Sequence, residues 1–248
     1  MKHEIETAQR FSGLRAAITG GTSGLGLALV RELRARGAQV AFVARERERV
    51  EEVTAATGAL GIVGNVADKD SIHRIALQIG GGLGGLDLLV NNASALGQVP
   101  LALLADTGCE ALEYALATNL LGPFRLGKAL LGALAASARE GRGAVMLNIS
   151  SDAAINPYPR WGAYGASKAA LHHLSRIWQE ELAEEGVRVL SLDPGDMDTP
   201  LHKLAVPETD PASLKRPDAA ARELLAAVEQ ALPRPRTAVP ARSPIFTF

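Results

Sequence analysis

A chain of 248 residues with 47% apolar and 21% charged side chains has the make-up of a globular protein with one core, and is neither fibrous nor disordered. Its formal net charge of −1 gives no general affinity for nucleic acid or anionic lipid. The one cysteine, Cys109, rules out an internal disulfide, fits a reducing compartment and has no CxxC or metal-ligand context.

Residues 1–12 read as an N-terminal extension with scattered charges and no apolar stretch, so no secretory signal is expected. Apolar runs elsewhere are broken before they reach the length of a bilayer span. A cytoplasmic protein is the expectation.

From there short apolar runs alternate with helical patterns. Strands are predicted at 14–19, 38–44, 59–65, 86–93, 143–150 and 187–193. Helices are predicted at 24–36, 46–57, 68–80, 106–118, 120–138, from before Tyr164 to 185, and at 217–231. The tract at 80–85, "GGGLGG", reads as a flexible turn, and 200–216, polar and Pro-containing, as a surface loop closing over substrate. Residues 233–248 read as a tail. Strands apolar throughout and alternating with helices predict one α/β domain over 1–248, a doubly wound parallel sheet of six to seven strands with helices on both faces.

Two stretches carry chemistry. At the first strand–helix junction stands "TGGTSGLG", Thr19–Gly26. Gly20 and Gly21 open backbone angles closed to other residues, and Gly24 and Gly26 remove side chains where backbone approaches a ligand. A helix starting there aims free N–H groups and a positive dipole end at the turn, which suits phosphate and points to a dinucleotide site formed with Thr22, Ser23 and Leu25. After the second strand, Ala44 is followed by Arg45 instead of an acid. An acid repels a ribose 2′-phosphate and an arginine binds it, which favours NADP(H) over NAD(H).

The second stretch is "YGASK", Tyr164–Lys168. Positions i and i+4 share a helix face, so an ammonium is expected to favour the phenolate and lower the tyrosine pKa from about 10. On the same helix Leu171, Leu174, Ile177 and Trp178 are expected to form the buried face.

Several motifs in one order resemble the short-chain dehydrogenases/reductases: the glycine turn, "NNAS" at 91–94, "TNLLGPF" at 118–124, "NISSDAA" at 148–154, Y-x-x-x-K at 164–168 and "DPGDMDT" at 193–199. The resemblance implies a single-domain Rossmann fold, a nicotinamide cofactor and carbonyl–alcohol redox chemistry. Onto this sequence it carries Tyr164 as general acid/base, Lys168 as its partner and ribose ligand, Ser151 as the group orienting the substrate oxygen, with Ser150 as the alternative, and Asn119 as support for a proton relay. Asn65, Val66, Asn91 and Ala93 are implied near adenine and ribose, and Pro194, Gly195, Met197 and Thr199 near nicotinamide and phosphates.

Departures are Ser94 in place of the family's glycine, Asn65 in place of its aspartate, Ser23 in place of a basic residue, and a C-terminus without the family's glycine-rich ending. A homo-oligomer, dimer or tetramer, is implied, contacting through the Tyr164 helix and its neighbour. Tyr158, Trp161, Met197 and Leu201 suggest an apolar pocket for a small carbonyl or alcohol. No metal is expected, since the histidines lack ligand spacing and Asp193, Asp196 and Asp198 suit turns and caps. The alternatives are an NAD-linked alcohol dehydrogenase with the same site and a non-catalytic dinucleotide-binding regulator.

Overall fold

Strand β1 (Arg15–Thr19) sends Ala16 and Ile18 to one side and Ala17 to the other, and all three are buried. Side chains alternate with a period of two, so a strand without a polar face must lie between two layers. The computed structural model, which describes residues 11–233, meets that requirement with one six-stranded sheet whose paired strands all run parallel. The others are β2 (Gln39–Ala44), β3 (Leu60–Val63), β4 (Leu88–Asn91), β5 (Ala144–Ile149) and β6 (Val187–Leu192), in the spatial order β3-β2-β1-β4-β5-β6.

The helices are α1 (Gly24–Ala35), α2 (Arg47–Thr57), α3 (Ile72–Leu83), α4 (Cys109–Leu116), α5 (Gly122–Arg139), α6 (Gly162–Glu181), α7 (Pro200–Ala205) and α8 (Pro217–Ala231). One face of the sheet packs Ile18, Phe42 and Val90 against Leu29 and Leu33 of α1 and Leu225 and Val228 of α8. The other packs Ala17, Val43 and Leu89 against Ile75 and Ile79 of α3 and Leu130 and Leu134 of α5. Phe11, at the end of the expected extension, is fully buried in the first of these cores, so the domain begins before residue 12.

The structure corrects several local expectations. Helix α3 continues through Gly80–Gly82 to Leu83, and only Gly84 turns left-handed to end it. Ile75, Ile79 and Leu83 fall on one face and bury there, which outweighs the low helix propensity of glycine. The expected break near residue 119 is a π turn, Ala117–Leu121, that joins α4 to α5 without interruption. The 200–216 segment contains α7 and a 3₁₀ turn, Pro211–Ser213, and is pinned at its base by a bridge between Met197 and Lys215. Helix α6 ends at Glu181, earlier than expected, and buries a different face: Tyr164, Ser167, Lys168, Leu171 and Ser175 point inward, while Ile177 is 43% exposed. The buried serines are hydrogen-bonded, Ser167 Oγ to Tyr164 O and Ser175 Oγ to Leu171 O, so a partly polar face is buried at small cost.

At the amino-terminal end of the sheet the Asp87 carboxylate is fully buried. Arg15 Nη2 donates to it at 2.7 Å and Arg142 Nη2 at 2.8 Å, and the Ser137 hydroxyl donates as well. Burial pushes its pKa up, but the hydrogen bonds from Arg142, Arg15 and Ser137 outweigh burial and hold it far below the usual carboxylate range. The knot joins β1, the entry to β4, α5 and the entry to β5.

Asp87→Ala leaves two guanidinium groups around an empty carboxylate position and is expected to cost about 3 kcal/mol, read from urea unfolding. The folded pKa of Asp87 lies below the unfolded value of about 3.9, so its stabilisation is complete above that pH and lost as pH falls further. The wild type should therefore lose stability more steeply than Asp87→Ala in that acid range.

Candidate active site

Strands β1 and β4 are neighbours, yet the sheet grows outward from them in opposite directions. Such a reversal opens a crevice beyond the carboxyl ends of the strands. A cleft of about 910 Å³ lies there, lined by the glycine turn, the ends of β2, β5 and β6, and α7. Its size is that of a small-molecule site.

The glycine turn forms one wall. Gly20 and Gly24 adopt φ values of 71° and 49°, the left-handed region, whereas Gly21 does not and instead makes room for Phe42. A Cβ on Gly26 would stand 2.0 Å from Gly20 O, so α1 rests directly on the turn. Asn92 Nδ2 locks the turn by donating to Thr19 O at 2.8 Å and Gly20 O at 3.2 Å. Ser23, the N-cap of α1, has no side-chain capping bond, so its hydroxyl and the first amides of the helix form a set of donors without bulk. Thr22, Ser23, Gly24, Leu25 and Gly26 all line the cleft.

Farther along, Arg45, Asn65, Val66 and Ala93 line the same cleft. Arg45 Nη1 donates to the Tyr114 hydroxyl at 2.7 Å, across from β2 to α4. Asn65 Oδ1 accepts from Ala67 N, which leaves its amide N–H groups for a ligand. Asn91 does not line the cleft: it ends β4 with its side chain buried, donating from Nδ2 to Asn148 Oδ1. The neighbouring Asn92 takes the cleft position instead.

Tyr164 and Lys168 meet at the centre, 8% and 2% exposed. Lys168 Nζ donates to Ile149 O at the end of β5, 2.8 Å away, and lies 5.6 Å from the centre of the Tyr164 ring. Burial pushes the Tyr164 phenol up to about 12, against hydrogen bonds from Ser151 and Ser94 that pull it down. Burial likewise pushes Lys168 down to about 8, opposed by the charge of Asp193. The expectation that the ammonium depresses the phenol pKa is therefore corrected: burial of the phenol outweighs every influence that pulls it down.

Of the two serines, both line the cleft, and it is Ser151 that pulls the phenol pKa down; its Oγ donates to Asp152 Oδ1 at 3.2 Å. Ser150 is buried, with its N–H bonded to Leu192 O. Asn119 is fully buried in the π turn behind the cleft. Its Nδ2 donates to Ala95 O and Ser167 Oγ, and its Oδ1 accepts from Ala95 N, each at 2.8 Å. It ties the exit of β4 to α6 and so fixes where the phenol stands.

Pro194, Gly195, Met197 and Thr199 line the far side. Thr199 Oγ1 caps α7 by accepting from His202 N, and its methyl group comes close to Gly24. Trp161 stands edge-on to Tyr164 with ring centres 5.6 Å apart, among Leu96, Leu101, Ala153, Leu201 and Ala205. Asn92, Ser94, Tyr114 and Asp193 are cleft residues that the sequence reading did not assign to the site. The first two sit inside the recognised "NNAS", whereas nothing near Tyr114 in sequence signals its contact with Arg45.

A family model described as short chain dehydrogenase matches residues 15–210. The chain belongs to that family. It is 33% identical over 206 residues to Oxidoreductase asL5 of Sarocladium schorii, covering 82% of this chain and 80% of that one. A 3-ketoacyl-(acyl-carrier-protein) reductase from Brucella melitensis, solved with NADH, superposes with a TM-score of 0.79 at 25% identity, over 86% of this chain and 90% of that one. A short-chain dehydrogenase from Burkholderia cenocepacia, solved with NADP, gives 0.78 at 26% identity, over 89% and 92%. Among the described residues of this short-chain dehydrogenase, no helix is long and apolar enough to cross a membrane and no cluster of His, Cys, Asp or Glu could hold a metal.

Gly26→Ala forces α1 off the turn and is expected to lower stability by about 2 kcal/mol. Gly132→Ala, where a Cβ meets nothing within 4 Å on an exposed stretch of α5, should raise it by about 0.5–1 kcal/mol. Thermal melts of the two variants check the contrast.

Proposed function

We propose that this short-chain dehydrogenase is an NADP(H)-dependent oxidoreductase that interconverts a ketone or aldehyde and the corresponding alcohol by hydride transfer. The observation that carries the reading is one cleft holding both the glycine turn and the Tyr164–Ser151–Lys168 group, whose tyrosine and lysine are buried. The residues present fit a dinucleotide. The turn is a cradle that side chains would fill, and α1 aims its free amides there. An ammonium has three N–H donors, and Ile149 O takes one from Lys168. The others suit ribose hydroxyls.

When bound, the nicotinamide supplies or accepts the hydride. The chain's own groups handle the proton. Burial pushes the phenol up to about 12, so it is protonated at neutral pH and would need charge brought beside it before it gives up that proton readily. The Ser151 hydroxyl beside it would hold the substrate oxygen and stabilise charge developing there. Lys168, with a pKa of about 8, keeps positive charge near the phenol at neutral pH and favours the phenolate once the proton has left. The cluster around Trp161 excludes water and takes the apolar part of the substrate.

Arg45 supports the choice of NADP(H), since a fixed guanidinium at the end of β2 suits a 2′-phosphate. The NAD(H) reading rests on Glu46, which also lines the cleft and would take ribose hydroxyls. The resemblance and the lone cysteine support a cytoplasmic homo-oligomer, with exposed Leu121 and Ile177 as apolar contact surface.

Tyr164→Phe is expected to lower kcat for ketone reduction about a thousandfold while thermal stabilisation by NADPH persists. Turnover unchanged in that variant would falsify the role of Tyr164. Stabilisation without turnover on a broad carbonyl panel in the wild type would favour the regulator. Arg45→Ala should weaken NADPH binding about tenfold or more and leave NADH nearly unchanged, measured by titrating intrinsic fluorescence; equal weakening of both would point to NAD(H).

A further inference from the structure

Arg45, Arg47 and Arg49 follow β2 at alternate positions, and they are partnered differently. Arg47 Nη1 faces Glu51 Oε1 at 3.9 Å and Arg49 Nη1 faces Glu52 Oε2 at 3.3 Å, each about one turn along α2. Among the described residues Arg45 forms no ion pair. Its Nη1 reaches across the cleft instead and donates to the Tyr114 hydroxyl at 2.7 Å.

Tyr114 belongs to α4, which runs on through the π turn that carries Asn119. It lines the cleft together with Thr118, about one turn further on, and with Asn65 and Val66 beyond the end of β3. The phenol thus stands on a helix, whereas Arg45 is an exposed side chain at a strand end. A long guanidinium side chain left in solvent gives up its rotamer freedom when it binds; one already held has less to lose. The charge of the holder matters as much. A carboxylate in this place would neutralise Arg45 and repel an anion. A neutral phenol holds the guanidinium and leaves its positive charge whole. It takes a single N–H from a fork that has several, and its own O–H remains as a further donor. Accepting a bond from a cation polarises that O–H and strengthens it as a donor.

We propose that Tyr114 determines cofactor specificity: its phenol oxygen fixes the Arg45 guanidinium across the cleft without neutralising it, and its hydroxyl adds a donor for the 2′-phosphate of the adenosine ribose. The proposal rests on the NADP(H) reading above, in which Arg45 is the charged partner of that phosphate. A phosphate monoester carries about −1.5 to −2 charge at neutral pH and has three strong acceptor oxygens. The remaining guanidinium N–H groups and the phenol O–H are donors of the kind those oxygens take. A ribose with a plain 2′-hydroxyl offers this pair no charge to bind, so Tyr114 contributes little to NAD(H). Tyr114 acts in part through Arg45 and is to that extent a positioning residue.

The test titrates NADPH and NADH against the full chain by quenching of intrinsic fluorescence. The proteins compared are the wild type, Tyr114→Phe, Tyr114→Glu, Arg45→Ala and the Arg45→Ala/Tyr114→Phe double variant. Tyr114→Phe keeps the ring and removes only the hydroxyl. It is expected to weaken NADPH binding about tenfold while NADH stays within about twofold. Tyr114→Glu should weaken NADPH further, because its carboxylate neutralises Arg45 and repels the phosphate. Adding Tyr114→Phe to Arg45→Ala should weaken NADPH by a smaller factor than it does in the wild type, since nothing is left to be held. Equal weakening of both cofactors in Tyr114→Phe overturns the proposal, because a merely structural role would move them together. So does full additivity in the double variant, or NADPH binding in Tyr114→Glu as tight as in the wild type. If Arg45→Ala leaves NADPH binding intact, the NADP(H) reading fails and this proposal with it. A selective loss of NADPH in Arg45→Ala, with wild-type binding in Tyr114→Phe, overturns only the part given to Tyr114.

Discussion

The structure is organised around a lysine ammonium and a phenol removed from water side by side at the carboxyl end of a parallel sheet. Burial alone drives both towards their neutral forms, up for Tyr164 and down for Lys168. At neutral pH the result is a phenol that holds its proton beside a lysine that still carries most of its charge. The site therefore rests with a protonated phenol beside a positive charge. The strand-end carbonyl of Ile149 holds the ammonium, and Asn119 clamps the β4 exit loop to α6, on which both groups stand.

The two ends of the sheet use charge in opposite ways. At the amino end Asp87 is surrounded by Arg15, Arg142 and Ser137, so the charge is matched on all sides and serves cohesion. At the carboxyl end the charges are spread and only partly matched, and the first backbone amides of α1 stand at the wall of the cleft. A buried ion left short of partners is costly, and the Asp87 knot lies on the same strands that carry the cleft.

What was legible in the sequence followed from local spacing. The glycine turn depends on torsions and contacts within a few residues, and Tyr164 and Lys168 are joined by one helical turn, so both are readable without a fold. The alternation of apolar runs with helices is enough for a parallel sheet covered on both faces. What was not legible depends on distance in sequence. Arg45 and Tyr114 meet across 69 positions, and Arg15 and Asp87 across 72. Asn91 and Asn92 are chemically identical neighbours, and only the alternation of strand faces sends one into the sheet and the other to the turn. The sign of the phenol shift was misread for the same reason. Adjacency to a lysine is visible in a sequence, whereas the desolvation that outweighs it belongs to the packed structure.

Asp193 shows how one carboxylate sets the direction in which such a site is poised. It follows β6, and its Oδ1 accepts from Gly195 N in the turn that lines the cleft. Its negative charge raises both Tyr164 and Lys168. For the lysine this opposes burial and preserves the ammonium; for the tyrosine it adds to burial and preserves the phenol. One residue thus keeps protons on both groups, the phenol neutral and the ammonium charged, side by side.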